Sequence, residues 1–217
     1  MNWPLVKKEF KEGRSILITL CLLFPLVTLV FGFWTAAILI SLVSMFFGAE
    51  SMSKEKGKFD FLLGLPVKRT NIIYTKLLSG AFYILFFFFL CLIILSVTQP
   101  IILKITGKNG SHFFVSFKNP SFDFFLIPAS FSLILSLYCA TFFASILVGE
   151  VATSFLTGGI FVYLFNVIFL AVLGKLVPDF YSWFKDYEYS FVGFQLFLGG
   201  LFIYLSFVTF NRLDIKG

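Results

Sequence analysis

The chain has 217 residues, of which 59% are hydrophobic and 13% charged, with a net charge of +6 and a mean hydropathy of +0.98. Soluble domains carry about 45–50% apolar and about 25% charged residues, so this composition excludes one and points to an integral membrane protein. The 34 phenylalanines suit segments surrounded by lipid, where backbone groups are satisfied within helices and side chains are apolar all round.

Residues 1–14 place Trp3, Val6 and Phe10 on one helical face and Lys7, Lys8, Lys11 and Arg14 on the rest, with Asn2 and Pro4 as a helix start. The pattern predicts a helix lying in the inner membrane interface. A cleaved signal peptide is not expected, because the first apolar run begins only at Ser15 and lacks an evident small-residue cleavage site.

Residues 15–49 contain no Asp, Glu, Lys or Arg. As one straight helix this run is about 52 Å long, against about 30 Å of hydrocarbon to be crossed. Basic residues flank it on both sides: Lys7, Lys8, Lys11 and Arg14 before, and Lys54, Lys56, Lys58, Lys68, Arg69 and Lys76 after. Both flanks read as cytoplasmic by the positive-inside rule, so two short spans are predicted, Ser15–Val30 and Trp34–Ala49, joined by a turn at Phe31-Gly32-Phe33. Each falls just short of the usual spanning length.

Four more charge-free stretches follow, giving a third span at 77–98, a fourth at 124–149, a fifth at 151–174 and a sixth at 191–210, with outer segments at 99–123 and 175–190 and a tail at 211–217. The expected fold is a single all-α, polytopic domain: six transmembrane helices, both termini cytoplasmic, an N-terminal interfacial helix, and a cytoplasmic segment at 50–76. On this topology the cytoplasmic side holds 12 of the 17 Lys and Arg residues.

The segment 51–70 is charged and amphipathic between two hydrophobic blocks, with Phe59, Leu62 and Leu63 at helical spacing and a Leu65-Pro66 break before a second helix start near Thr70. A basic loop resting on anionic lipid explains the lysines, but not Glu50, Glu55 and Asp60 among them. Glu50, Glu55-Lys56-Gly57, Phe59 to Leu63, Leu65-Pro66-Val67, Arg69 and Lys76-Leu77-Leu78 together resemble the cytoplasmic signature of type-2 ABC transporter permeases. The likeness extends to the six-span layout, the interfacial helix and the tail Phe210-Asn-Arg-Leu-Asp-Ile215. Lys58 and Lys68 depart from it, standing where that family usually has Thr and Ser.

The resemblance implies the membrane subunit of a bacterial ATP-driven exporter in the cell membrane, with Glu50, Glu55, Gly57, Phe59, Leu62, Leu63, Pro66 and Arg69 contacting a separate ATPase. ATP and Mg would be bound there, and a second permease copy or paralogue would complete a dimer. No nucleic acid is implied as a partner. The chain's Gly-Lys pairs precede Phe59, Asn109 and Leu176, never Ser or Thr, so no phosphate-cradling loop is expected in it. The family also places an outer gate between the fifth and sixth spans, here Phe180, Tyr181, Trp183 and Phe184.

Two other function classes compete with this reading. Ion-driven carriers commonly hold ionisable groups near mid-membrane, and the six predicted spans have none in their interiors. A membrane enzyme is disfavoured because the single histidine, His112, falls in a predicted outer loop and the three cysteines lie in different spans. Tyr163, Asn166 and Gln195 are candidate pathway residues, although such groups more often join helices to each other. The favoured substrate is an amphipathic peptide or another hydrophobic molecule.

Overall fold

The computed structural model describes residues 14–52, 68–106, 120–176 and 189–212. They form five helices: α1 (Arg14–Ser51), α2 (Arg69–Thr106), α3 (Pro120–Val148), α4 (Val151–Leu176) and α5 (Tyr189–Arg212). Four stretches, Thr70–Ile94, Ile127–Val148, Val151–Phe169 and Ser190–Arg212, are long and apolar enough to cross a membrane, and Ala37–Ser51 is a shorter apolar helix. The described residues are therefore all-helical, with four such spans where the sequence predicts six.

Part of that difference lies in α1, where the expected non-helical turn at Phe31-Gly32-Phe33 is replaced by an unbroken helical run. The run is nevertheless not straight. A rod would hold Phe24 and Phe47 about 35 Å apart. Instead Phe24 meets Phe87 at a ring-centroid distance of 5.0 Å and Phe47 meets Tyr83 at 5.5 Å, although Tyr83 and Phe87 are one turn apart. Phe24, Ile40, Val43 and Phe47 also line one small cavity. The chain thus doubles back between Phe24 and Ile40.

The other helices extend past their predicted ends. Gln99 to Thr106 continues α2 and Pro120 to Asp123 opens α3, so the predicted outer loop at 99–123 is helical at both margins. Charge-free runs mark the hydrocarbon, whereas a helix stops only where its backbone finds other partners. Pro120 suits the first position of α3, because its missing N–H is one that the helix leaves unbonded.

α3 is the hub. Its partners include the second half of α1, α4 and α5, and small residues let them approach closely. A Cβ on Gly48 would lie 2.7 Å from the Tyr138 carbonyl oxygen, and one on Gly158 would lie 2.6 Å from the Thr141 Cα. Gly80 leaves room for the Tyr138 ring. Large residues fill the gaps between these approaches, with Phe143, Phe161 and Phe202 clustered at 5.9–6.4 Å between centroids, Phe161 stacked on Phe202 and Phe143 tilted against both.

These contacts fix helix directions. α3 runs antiparallel to α2, through Tyr138 at Lys76 and Phe131 at Phe88, and antiparallel to α4, through Thr141 at Gly158. It runs parallel to α5, through Ser136 at Gln195 and Phe143 at Phe202. Tyr74 of α2 meets Phe207 of α5 at 4.7 Å. Ser51, Arg69, Val148, Val151 and Arg212 therefore gather at one end of the bundle. Thr106, Pro120, Leu176 and Tyr189 face the other way.

Candidate functional site

The end of the bundle that gathers Ser51, Arg69, Val148, Val151 and Arg212 carries most of the described charge. Glu50 is half-buried there, while Lys68, Glu150 and Arg212 are exposed. Lys76 lies two turns inside α2 with only 8% of its surface exposed. The sequence reading starts the third span at Leu77, just past Lys76, whereas the candidate span begins at Thr70 and contains it. A lysine can be accommodated within a span because its long aliphatic stem packs while the charged head reaches toward the interface.

Tyr138 ties this part of α2 to the hub. Its hydroxyl, itself buried, donates to the Lys76 carbonyl at 3.0 Å, and the Ser79 hydroxyl donates to the same oxygen at 2.9 Å. Movement of the α2 entrance therefore bears directly on the centre of the bundle.

A two-residue reversal joins α3 to α4 at this end. Gly149 takes a φ of 81°, a conformation glycine adopts without a steric penalty, and its N–H donates to the Ser145 carbonyl at 3.1 Å. Glu150 then caps α4: its carbonyl accepts from the Ser154 N–H at 2.9 Å, and its carboxylate accepts from the Thr153 hydroxyl at 2.8 Å. A carboxylate at this position also faces the positive end of the helix dipole. The result is an exposed, fixed negative charge close to where the chain enters and leaves the segment 53–67.

Deeper in the bundle, polar side chains join α3, α4 and α5. The Ser136 hydroxyl donates to Gln195 Oε1 at 2.8 Å, and Gln195 Nε2 donates to Asn166 Oδ1 at 2.6 Å. Asn166 Nδ2 donates to the Val162 carbonyl at 2.7 Å. Ser136 and Gln195 are fully buried. This chain pins the three helices together, since each amide finds a partner in a region where lipid offers none. The structure thus brings together Asn166 and Gln195, while Tyr163 is 68% exposed on the outer face of α4. Sequence reasoning missed Ser136. Its signal is the ladder Ala129, Ser132, Ser136, Ala140, Ala144, whose three- and four-residue spacing marks a close-packing face.

An apolar groove of about 310 Å³ is lined by Phe82, Leu85, Phe86, Phe89, Leu90 and Ile93, all on α2. Among the described residues no three His, Cys, Asp or Glu side chains come together to hold a metal. Several expectations lie outside the described residues: the interfacial set Trp3, Val6 and Phe10, the coupling residues Glu55, Gly57, Phe59, Leu62, Leu63 and Pro66, and the gate set Phe180, Tyr181, Trp183 and Phe184. For Arg69 the backbone alone is described, at the start of α2.

No protein-family model, curated protein or solved structure matches the chain.

Proposed function

We propose that this chain is the membrane-spanning subunit of an ATP-driven exporter of the type-2 ABC permease kind. It would cross the bacterial cell membrane six times, with the folded-back α1 supplying two crossings and both termini in the cytoplasm. The observation that carries this reading is the convergence of Ser51, Arg69, Glu150 and Arg212 at one end of the bundle. A segment with coupling-type sequence, 53–67, leaves and re-enters there beside a fixed carboxylate. The segment with gate-type sequence, 177–188, leaves from the opposite end, which supports an outer gate of Phe180, Tyr181, Trp183 and Phe184.

On this reading a separate ATPase receives the helix around Phe59, Leu62 and Leu63 in a surface groove, with Glu55 and Arg69 as charged contacts. Closure of two ATPases on ATP then swings the spans of a permease dimer as rigid bodies, and an amphipathic peptide or similar hydrophobic substrate is released outside. The buried chain Ser136–Gln195–Asn166 contains no titratable group, which supports an energy source outside the bundle.

Affinity purification from native membranes in mild detergent, followed by mass identification, tests the proposal. Recovery of an ATPase with a phosphate-binding loop is expected, and Glu55→Lys or Arg69→Glu should abolish export while leaving membrane insertion intact. Transport by the purified chain alone under an ion gradient would overturn it.

A further inference from the structure

α2 runs for 38 residues, and its two arms meet different helices. Beyond residue 80, Tyr83 stacks on Phe47 and Phe87 meets Phe24, both of α1, while Phe88 meets Phe131 of α3. Nearer Arg69, Tyr74 meets Phe207 of α5. The pair Ser79-Gly80 falls between these two sets of contacts.

The helix is weak at that pair. Glycine in a helix interior leaves the backbone extra freedom, and adjacent Gly and Ser are a common site of helix bending. The Ser79 hydroxyl donates to the Lys76 carbonyl, three residues back, a bond that competes with the helical ladder.

The Tyr138 hydroxyl grips α2 by the same carbonyl, reaching it from α3 at 3.0 Å in a fully buried position. Ser44, Ser132, Ser145 and Ser206, by contrast, donate to carbonyls of their own helices. Gly80 admits the Tyr138 ring, since a Cβ there would collide with it. The same glycine thus loosens α2 and lets α3 hold it.

We infer that the Tyr138 hydroxyl is a latch, a positioning group that fixes the arm Arg69–Leu78 to α3, so that movement applied to the arm enters the hub instead of being lost as bending at Ser79-Gly80. A lever with a soft joint transmits force only where it is held on the near side of that joint. Lys76 lies on the near side, so the bond to Tyr138 bypasses the joint. The latch is also releasable: the Ser79 hydroxyl stays on the Lys76 carbonyl when Tyr138 lets go, so release orphans no carbonyl in a region where lipid offers no donor. The inference rests on the proposed function for the source of the movement, but its test uses the chain without an ATPase, so either can fail without the other.

Spin labels carried on non-natural residues at positions 68, 93 and 147 leave the native cysteines in place, and all three positions are exposed. In the purified chain in lipid nanodiscs, diluted with unlabelled chain, the pair 68–147 reports the arm against α3 and the pair 93–147 reports the rest of α2. Tyr138→Phe removes the hydroxyl and keeps the ring that fills the space beside Gly80. It should broaden the 68–147 distribution, raising the unlatched population about threefold or more, the reach of one interhelical hydrogen bond in a membrane, while 93–147 keeps its width. Ser79→Ala takes the other hydroxyl from the same carbonyl without cutting a link between helices, and should change neither distribution. A 68–147 distance as narrow in Tyr138→Phe as in the unaltered chain, equal broadening of both pairs, or the same broadening in Ser79→Ala would each overturn the inference.

Discussion

α3 and α4 leave the same two-residue turn and have similar mean hydropathies, 2.1 and 1.8, yet 67% of one span is buried and 17% of the other. Hydropathy decides whether a helix enters lipid. Side-chain size decides whether other helices can surround it, because association in a bilayer gains little from apolarity and much from close contact. α3 carries Ala129, Ser132, Ser136, Ala140, Ala144 and Ser145, all small, whereas the outer face of α4 carries Leu156, Ile160, Tyr163 and Val167. One helix is built to be surrounded and the other presents a face to the outside.

Filling the close approach that α4 makes to α3 at Gly158 is the sharpest way to break that comparison. A Cβ on Gly158 would stand 2.6 Å from the Thr141 Cα and 2.7 Å from its backbone nitrogen, and backbone cannot move aside as a side-chain tip can. Gly158→Val should therefore destabilise the protein by about 3 kcal/mol or more, at the upper end of overpacking penalties. A Cβ on Gly200 of α5 would meet nothing within 4 Å, and Gly200→Ala should be neutral or stabilising by up to about 1 kcal/mol. Thermal melting of the two purified variants in one detergent measures the difference. Similar losses in both would mean that glycine position does not organise the bundle.

Much of this architecture was legible in the sequence. The charge-free runs located four spans with ends at most seven residues off, because a charge is too costly in hydrocarbon to be placed there by accident. The need for residues 15–49 to double back followed from length and flanking charge, and the ring contacts of Phe24 and Phe47 with the Tyr83–Phe87 turn bear it out. The form of the reversal was not legible: Gly32 signals a non-helical turn, yet the residues from Arg14 to Ser51 are helical throughout. Nor could periodicity assign Tyr163 and Asn166 to different faces of α4, since a span apolar nearly all round has no moment to orient it. Lys76 marks a boundary only while charge serves as the ruler, and a lysine stem long enough to pack defeats that ruler.

A smaller effect is expected where α3 and α4 share polar contacts. Gln195→Leu keeps the side-chain bulk but removes the amide that links Ser136 to Asn166, leaving a buried hydroxyl and an amide oxygen without that partner. A loss of about 1–2 kcal/mol is expected, the upper range for interhelical hydrogen bonds in membranes. Ser136→Ala combined with Gln195→Leu should cost less than the two single losses added together, because the second change removes a group that the first has already orphaned. Strict additivity in a double-mutant cycle would show that the two residues do not act through each other.

The smallest effect tests the joint between the two helices. Gly149 holds a φ of 81°, where an added Cβ crowds the following carbonyl, so Gly149→Ala should cost about 1 kcal/mol. Asn tolerates this conformation better than other side chains, and Gly149→Asn should recover part of the loss. The two variants differ chiefly in tolerance for one dihedral, so their melting temperatures separate backbone strain from the crowding of an added side chain at this buried position. Equal melting temperatures would shift the cause from the turn to its surroundings. If the Ala variant alone also shows faster amide exchange over Val151–Ser154, the strain reaches the Glu150 cap, and the carboxylate at this end of the bundle is held in place by the glycine before it.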